Sequence, residues 1–423
     1  MLKFIFDAKN KNFMRLWCAQ LISQFGDRVN QMALIGLIAE RAPGSTVQLA
    51  KLLSFTIIPV FFVGPIAGAY VDRWDRRQTL FVSDFIRGTL VLTIPFIFMN
   101  YKSMIPIYIV VFLVFCFSRF HIPAKMSIIP NLVEKEKLLM ANSLLTTTGM
   151  IAFVLGCSLG GFLVDRMGAR WGFIWNSVTF FVSGAFVCSI PHHIKFRINK
   201  SVVWETGKKV LSDIRKSIFT ELKEGFQYLI KHKEIRFIIN MFFVLLSAAG
   251  AIYVVIIVFI QQSFSSVTKD LGILAVLLGV GLFLGAIGYG KWGRKFAWYK
   301  IIFVCLLTGG LMVILFALTI QHSPNLRVAG ILSVILGMIL GPIFIASNTV
   351  VHVVSDENMR GKVFSALEVV IHFAFLATMV VSSVLSEFIP RVWILVGVGG
   401  LFTIVGVIGL IKYKNGGDLA LIH

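Results

Sequence analysis

A few ionisable residues lie inside long apolar stretches of the sequence, and Asp27 is the clearest of them. It lies about midway along the first stretch, beside Arg28, Asn30 and Gln31. A charge near the centre of a bilayer costs several kcal/mol, so such a residue needs a partner or a function. Adjacent helical residues point about 100° apart, so Arg28 is poorly placed to neutralise Asp27. We expect Asp27, Asn30 and Gln31 to serve proton coupling or the binding of a cationic group. The alternative is a structural pair between Asp27 and a basic residue of another helix.

Two further pairs of ionisable residues have helical spacing. Asp84 and Arg87 are three residues apart, so they share a helix face and can neutralise each other. This favours a structural ion pair, and Arg119, at the end of the next apolar stretch, is placed to join it in a charge network. Glu368 and His372 are four residues apart. A carboxylate with a histidine one turn away can pass a proton, because histidine titrates near neutral pH; a helix-packing hydrogen bond is the alternative.

The polar turn after the second apolar stretch combines a small residue with several charges, at Gly68, Asp72, Arg73, Arg76 and Arg77. A glycine lets two helices approach closely. Asp72 can pair with a cation of another helix or with a helix N-terminus, and the arginines favour the cytoplasmic side. The spacing indicates a gating motif, and the alternative is an ordinary basic loop with no mechanical role.

Other patterns indicate packing and give no sign of reaction chemistry. Gly156, Gly160 and Gly161 favour close approach of helices. The five cysteines all lie in apolar stretches without ligand spacing. No nucleotide-binding loop, nucleophile elbow or zinc-protease motif occurs in the sequence. We therefore expect no enzymatic activity, no metal and no cofactor.

The elements that must position these residues are membrane helices. In the chain of 423 residues, 57% are hydrophobic and only 14% are charged, which is far from the composition of soluble domains. Apolar stretches of about twenty residues recur from end to end, each long enough to span a bilayer. The net charge of +20 is explained by basic cytoplasmic loops and anionic lipid headgroups rather than by a nucleic-acid partner.

The apolar pattern predicts an all-α membrane protein with about twelve transmembrane helices. They lie near Phe13–Glu40, Val47–Val71, Gln78–Met99, Met104–Phe120, Leu139–Val164, Trp171–Ile190, Ile235–Gln261, Leu271–Tyr289, Ile301–Ile320, Val328–Val351, Val363–Leu385 and Val392–Ile411. Most of the lysines and arginines then fall on one side, which places both termini in the cytoplasm of a multi-pass protein of the inner (cytoplasmic) membrane.

The longest polar segment divides the predicted spans into two groups of six. The domains are residues 1–191, a six-helix bundle; residues 192–234, a cytoplasmic linker with an amphipathic helix along the headgroups; and residues 235–423, a second six-helix bundle. The halves repeat, since Ala124–Ser143 and Ala346–Ser365 align without a gap. Parallel repeats of this kind are typical of one class of secondary transporters.

Several motifs resemble those of the major facilitator superfamily (MFS). They are the polar turn Gly68–Arg77, Phe25-Gly26-Asp27, Ser83-Asp84 with Arg87, Pro123-Ala124-Lys125, and Asp356-Glu357 with Arg360-Gly361-Lys362. The chain is most similar to the branch of macrolide-efflux and siderophore-exporter proteins, with some likeness to lysophospholipid transporters. One departure is Cys157, which stands where the fifth span of antiporter members has a proline.

The resemblance implies two six-helix bundles that alternate access to a central site. We expect a secondary active transporter that exports an amphipathic or hydrophobic small molecule, such as a drug, macrolide or siderophore, as a monomer in the lipid bilayer and with possible proton coupling. One alternative is a lysophospholipid or lipid flippase that needs no proton gradient. An alternative of another class is a membrane scaffold or sensor that transports nothing.

Overall fold

A computed structural model describes residues 10–71, 74–100, 102–191, 233–292, 297–354 and 360–412. All regular secondary structure in these ranges is helical, and no strand occurs in them. We number the helices in chain order: α1 Lys11–Arg41, α2 Thr46–Ile57, α3 Pro59–Phe62, α4 Gly64–Val71, α5 Arg76–Asn100, α6 Ile105–Ile128, α7 Leu138–Met167, α8 Ala169–Cys188, α9 Lys233–Phe264, α10 Lys269–Trp292, α11 Trp298–His322, α12 Leu326–Val354, α13 Arg360–Phe388 and α14 Arg391–Lys412.

Ten of the described helices are long and apolar enough to cross a membrane. The first span is α1, which has 31 residues but carries more polar side chains than the others. The second span is built from the consecutive short helices α2, α3 and α4. Together these make twelve spans in two six-helix bundles, which confirms the predicted fold class.

The second span is broken where prolines remove backbone donors. Pro59 begins α3, and Pro65 follows the first residue of α4. Proline has no N–H, so each removes one helical hydrogen bond from the span. The bonds from Ile58 N–H to Ser54 and from Val63 N–H to Pro59 continue the helical pattern across the breaks, so the span does not end there.

The described residues group into two compact units. Unit 1 is Met1–Leu37 with Leu52–Glu221, and unit 2 is Ile38–Lys51 with Leu222–His423, as far as these ranges are described. The end of α1 and the beginning of α2 therefore belong to unit 2. The predicted linker falls almost entirely on residues 192–232, which lie outside the described ranges, as does its amphipathic helix.

The same pairs of spans pack together inside each unit. In unit 1, α4 packs on α6 and α5 on α8, which are the second with the fourth span and the third with the sixth. In unit 2, α10 packs on α12 and α11 on α14, which are the eighth with the tenth and the ninth with the twelfth. The internal packing therefore repeats as the sequence does.

The pairing of the first and fifth spans also repeats, and glycine permits it in both units. A Cβ atom at Gly156 of α7 would lie 2.6 Å from Arg28 Cβ, and one at Gly160 would lie 2.9 Å from Val29 Cα of α1. In unit 2 the glycine is on the other partner, since Gly250 of α9 lies against the backbone of Phe375 in α13. Gly161 is buried beside its neighbour Gly160.

Candidate functional site

The centre of unit 1 contains a buried ion pair. Asp84 and Arg87 lie one turn apart on α5, and their side chains form the salt bridge that the sequence spacing favours. Asp84 is 0% and Arg87 3% exposed. Two charges removed from water are tolerated only where further hydrogen bonds satisfy them. The neighbouring helices supply those bonds.

His121 of α6 contacts both members of the pair. Its Nδ1 atom is 3.0 Å from Arg87 Nη2 and 3.2 Å from Asp84 Oδ1. On the other side of the ring, His121 Nε2 is 2.9 Å from the amide nitrogen of Gln20 on α1. His121 is 5% and Gln20 1% exposed. Neither residue was predicted from the sequence.

The sixth span completes the cluster. Ser183 of α8 donates a 2.6 Å hydrogen bond to Asp84 Oδ2, so both carboxylate oxygens are occupied. The Arg87 guanidinium lies 4.3 Å from the centre of the Phe180 ring, a favourable cation–π distance. Arg87 Nε also donates to the backbone oxygen of Ser83. Four spans therefore meet at one polar cluster, which we call the Asp84 cluster: Gln20, Asp84, Arg87, His121 and Ser183.

Close approach of α5 and α8 brings Ser183 to Asp84. A Cβ atom at Gly88 would lie 3.0 Å from the Phe181 ring, and one at Gly184 would lie 3.7 Å from Asp84 Cβ. Ser177 donates a 2.8 Å bond to the backbone oxygen of Gly88. A side chain at Gly88 would press on the Phe181 ring, whereas a Cβ atom at Gly184 would make ordinary van der Waals contact.

Asp27 lies on the same face of α1 as Gln20, two helical turns further along. Its side chain is accessible, although protein atoms enclose it from most directions. It lies within electrostatic reach of Arg28, Arg87, His121 and Asp84. These charged neighbours give the Asp27 carboxylate polar surroundings within unit 1.

Lys125 is a further basic residue near Asp27. It lies one turn beyond His121 on α6 and interacts electrostatically with Asp27 and Arg87. Lys125 is the last residue of the Pro-Ala-Lys motif, and Asp27 ends the Phe-Gly-Asp motif. Two motifs that are far apart in the sequence therefore contribute opposite charges to one region.

The polar neighbours of Asp27 on α1 are engaged in different ways. Arg28 donates a 3.1 Å hydrogen bond to Gln31 and lies 4.8 Å from the centre of the Phe153 ring. Asn30 is buried, and its Oδ1 atom has no hydrogen-bond partner among the described residues. The Arg28 guanidinium therefore has a hydrogen-bond acceptor and an aromatic ring as neighbours, besides its electrostatic interaction with Asp27.

Arg119, Glu368 and His372, which the sequence indicated as candidates, are not members of the Asp84 cluster. Arg119 has contacts of its own, and it is not among the hydrogen-bond or ion-pair partners of Asp84. His372 Nδ1 is 2.8 Å from the backbone oxygen of Glu368, so the histidine contacts the peptide carbonyl of Glu368 and not its carboxylate.

The predicted gating motif is described only in part. Gly68 lies in α4, Asp72 and Arg73 fall outside the described residues, and Arg76 begins α5. Arg77 Nε donates a 3.2 Å hydrogen bond to the backbone oxygen of Val187, and its Nη2 donates to that of Cys188. Arg77 therefore binds the carbonyl end of α8, where a cation is favourable.

Asp75, a residue of the turn Gly68–Arg77 that was not among the selected ones, caps α5. Asp75 Oδ1 accepts a 2.8 Å hydrogen bond from the N–H of Gln78, which is the arrangement of an N-cap. The sequence offered this signal, since an aspartate directly precedes a helix that begins with two arginines. The described part of the turn thus holds the ends of two helices in place.

Comparison with known proteins decides the family. Residues 16–376 match the description of the Major Facilitator Superfamily. The chain belongs to this family. It is a multi-pass membrane protein of the transporter type, as the motifs around Asp27 and the polar turn predicted.

Relatives within the family cover most of the chain. The uncharacterized MFS-type transporter YkuC of Bacillus subtilis is 25% identical over 418 residues, which are 96% of this chain and 94% of the relative. Macrolide efflux protein A of Streptococcus pyogenes is 26% identical over 299 residues, 67% of each chain. The crystal structure of a bacterial homologue of the iron transporter ferroportin, in an inward-facing state, matches with a TM-score of 0.72 at 15% identity, over 94% of this chain and 98% of the other. That structural match shows the MFS fold alone.

Proposed function

We propose that the chain is a secondary active transporter that exports an amphipathic small molecule by alternating access, with Asp27 as the residue that binds the cationic part of the substrate or the coupling proton. The observation that carries the proposal is the accessible Asp27 carboxylate on a membrane-spanning helix, surrounded by basic groups of unit 1. A charged group inside a bilayer costs several kcal/mol, so it needs a partner or a function. The similarity to a macrolide efflux protein supports export of a bulky, partly apolar molecule.

The proposed location is the cytoplasmic membrane, with both termini on the cytoplasmic side. Lysines and arginines concentrate in the segments that would then be cytoplasmic, including the polar turn before α5 and the long segment between α8 and α9. This bias is the usual determinant of orientation. We further propose that the chain acts as a monomer, in which substrate and proton bind at different strengths in the two access states.

Transport by purified protein in proteoliposomes tests the role of Asp27. We expect Asp27→Asn to reduce pH-driven transport of radiolabelled erythromycin at least about tenfold, because the amide cannot hold a cation or exchange a proton. The thermal stability of the variant should stay near that of the wild type, since the Asp27 carboxylate is accessible. A matched control is Glu387→Gln, which makes the same change at an exposed carboxylate of α13 and should leave transport unchanged. Wild-type transport by a folded Asp27→Asn variant would remove Asp27 from the mechanism.

Movement of lysolipids is the second candidate function, and the position of Lys125 favours it. A lysine within reach of Asp27 presents opposite charges to one ligand, as a zwitterionic headgroup requires. The discriminating probe is fluorescent lysophosphatidylethanolamine in the same proteoliposomes. Its transfer between leaflets without a pH gradient, together with no transport of erythromycin, would replace the exporter proposal with lipid flipping.

A further inference from the structure

His121 faces two groups that make opposite demands on the same ring nitrogen. Arg87 Nη2, at 3.0 Å, can only donate a hydrogen bond, whereas Asp84 Oδ1, at 3.2 Å, can only accept one. A bare Nδ1 atom accepts from Arg87, and a protonated Nδ1 atom donates to Asp84. The protonation state of His121 therefore selects which of the two residues it binds.

Gln20 permits both states without rearrangement of the backbone. Its side-chain amide lies 2.9 Å from Nε2, and the oxygen and nitrogen of such an amide are exchanged by a half-turn about its terminal bond. With the amide oxygen toward the ring, Gln20 accepts from the Nε2–H that both the neutral and the charged imidazole carry. The difference between the two states is then confined to Nδ1.

We propose that His121 is the proton-binding site of the transporter and that its protonation transfers the Asp84 carboxylate from Arg87 to His121. The inference rests on the proposed proton-coupled export. The proton adds to the lone pair of Nδ1, and no bond between heavy atoms forms or breaks. Before protonation, the Nη2 group of Arg87 contacts both His121 and Asp84. After protonation it has neither as an acceptor, and it is attracted to Asp27, the other carboxylate within its electrostatic reach.

The exchange of partners gives the site a way to couple two ligands. When His121 is neutral, Arg87 is held by Asp84, and Asp27 is available to a cationic substrate. When His121 is protonated, the Arg87 guanidinium competes with that substrate for Asp27. Proton and cationic substrate therefore exclude each other, although they bind to different residues.

The other groups around His121 set the charge balance. Asp84 and Arg87 face it from α5, Asp27 lies within reach on α1, Lys125 is on its own helix, and α8 contributes the uncharged Ser183. A proton on His121 adds one positive charge to this group. Asp27 can compensate this charge only while no other cation binds its carboxylate. The charge balance therefore also predicts that proton and cationic substrate exclude each other.

Nitrogen NMR of the protein in lipid nanodiscs tests the proton site without any substrate. With ¹⁵N-labelled histidine, we expect Nε2 of His121 to be protonated at pH 8, and Nδ1 to become protonated as the pH falls toward 5. A variant in which the other seven histidines are glutamine isolates the signal without altering His121. An Nδ1 atom that stays bare between pH 8 and 5 would overturn the proposal, because His121 would then be a fixed structural partner of Arg87.

A transport experiment tests whether that proton is coupled. In erythromycin-loaded proteoliposomes, an imposed pH gradient should raise the transport rate of the wild type about tenfold or more, and should change that of His121→Gln less than about twofold. The control is His322→Gln, at an exposed position at the end of α11. Undiminished pH-driven transport by His121→Gln would overturn the coupling role. If the wild type moves no erythromycin, the exporter proposal fails for this probe, and the NMR titration still decides whether His121 binds the proton.

Discussion

Asp84 and Arg87 lie one turn apart on α5, and neither side chain is exposed beyond a few per cent of its surface. Their charges stay buried because other helices supply polar partners: Asp84 contacts His121 of α6 and Ser183 of α8, and Arg87 contacts His121. Removal of one partner from such a pair leaves the other as an uncompensated charge, which typically costs about 3–5 kcal/mol. Replacement of both partners by neutral residues avoids that cost.

A double-mutant cycle on this pair tests whether the charges are coupled. We expect Asp84→Asn and Arg87→Gln each to lower the free energy of unfolding by about 3–5 kcal/mol, and the double variant to lose less than the sum by at least about 1 kcal/mol. The measurement is denaturant unfolding of the purified protein in detergent. Strictly additive losses would show that the two side chains are stabilised independently and that the short contact between them contributes nothing.

The spacing of Asp84 and Arg87 was sufficient to predict their pair, because both residues lie on one helix. His121 and Gln20 could not be found in that way. In the sequence, His121 is 34 residues from Arg87 and 101 residues from Gln20, so only the packing of separate helices brings them together. A lone histidine in an apolar stretch has no local signal that separates a packing role from a functional one.

At the scale of helices, small residues decide how closely the spans approach. In α14, Gly399 lies against α11, where a Cβ atom would be 2.7 Å from the backbone oxygen of Gly310. The next residue, Gly400, has open space around the same position. Two adjacent glycines of one helix therefore have opposite surroundings.

These neighbours give a matched pair of substitutions. Gly399→Ala should destabilise the protein by about 1–3 kcal/mol, because the methyl group forces α14 away from α11. Gly400→Ala should be neutral or stabilise it by up to about 1 kcal/mol, because alanine favours the helix more than glycine does. Thermal unfolding in detergent provides the measurement. Equal melting temperatures for the two variants would contradict close packing of α14 on α11.

Hydropathy predicted all twelve spans because each has to be apolar over about twenty residues. It did not predict that the second span consists of three helices. Pro59 and Pro65 carried that signal, since proline interrupts the helical hydrogen-bond ladder. The glycine contacts between α9 and α13 could not be predicted either, because the sequence of an apolar helix with several glycines does not show which glycine faces another helix.

At the scale of the whole molecule, one segment belongs to a different unit from its neighbours in the sequence. Ile38–Lys51 groups with unit 2, although α1 up to Leu37 and the second span from Leu52 group with unit 1. Arg391 of α14 donates a 2.6 Å hydrogen bond to the backbone oxygen of Gly44 and another of 2.6 Å to the side chain of Gln262. Thr46 binds Ser386 and the backbone oxygen of Ser383. The connection between the first two spans is thus held by side chains of the other half of the sequence.

The backbone of this segment is suited to that attachment. Gly44 has a φ angle of +74°, which favours glycine, and a Cβ atom there would lie 2.8 Å from Gln262 Nε2. The bonds from Arg391 are charge-assisted, so each contributes about 1.5–3 kcal/mol. The segment should therefore open rarely while Arg391 holds it, and much more often without it.

Hydrogen exchange measures that opening. In Arg391→Gln, the amides of Ser45 and Gln48, which bond to Ala42 and to the Ser45 hydroxyl, should exchange at least about tenfold faster than in the wild type. Arg327→Gln, at an exposed arginine of the same unit, controls for the loss of a positive charge and should leave both rates unchanged. Helix α1 contributes to both units. Faster exchange within Ile38–Lys51, with unchanged exchange in the part of α1 before Ile38, would show that Arg391 stabilises only this segment. Equal protection in Arg391→Gln and the wild type would show that Thr46 and its serine partners hold the segment without the arginine.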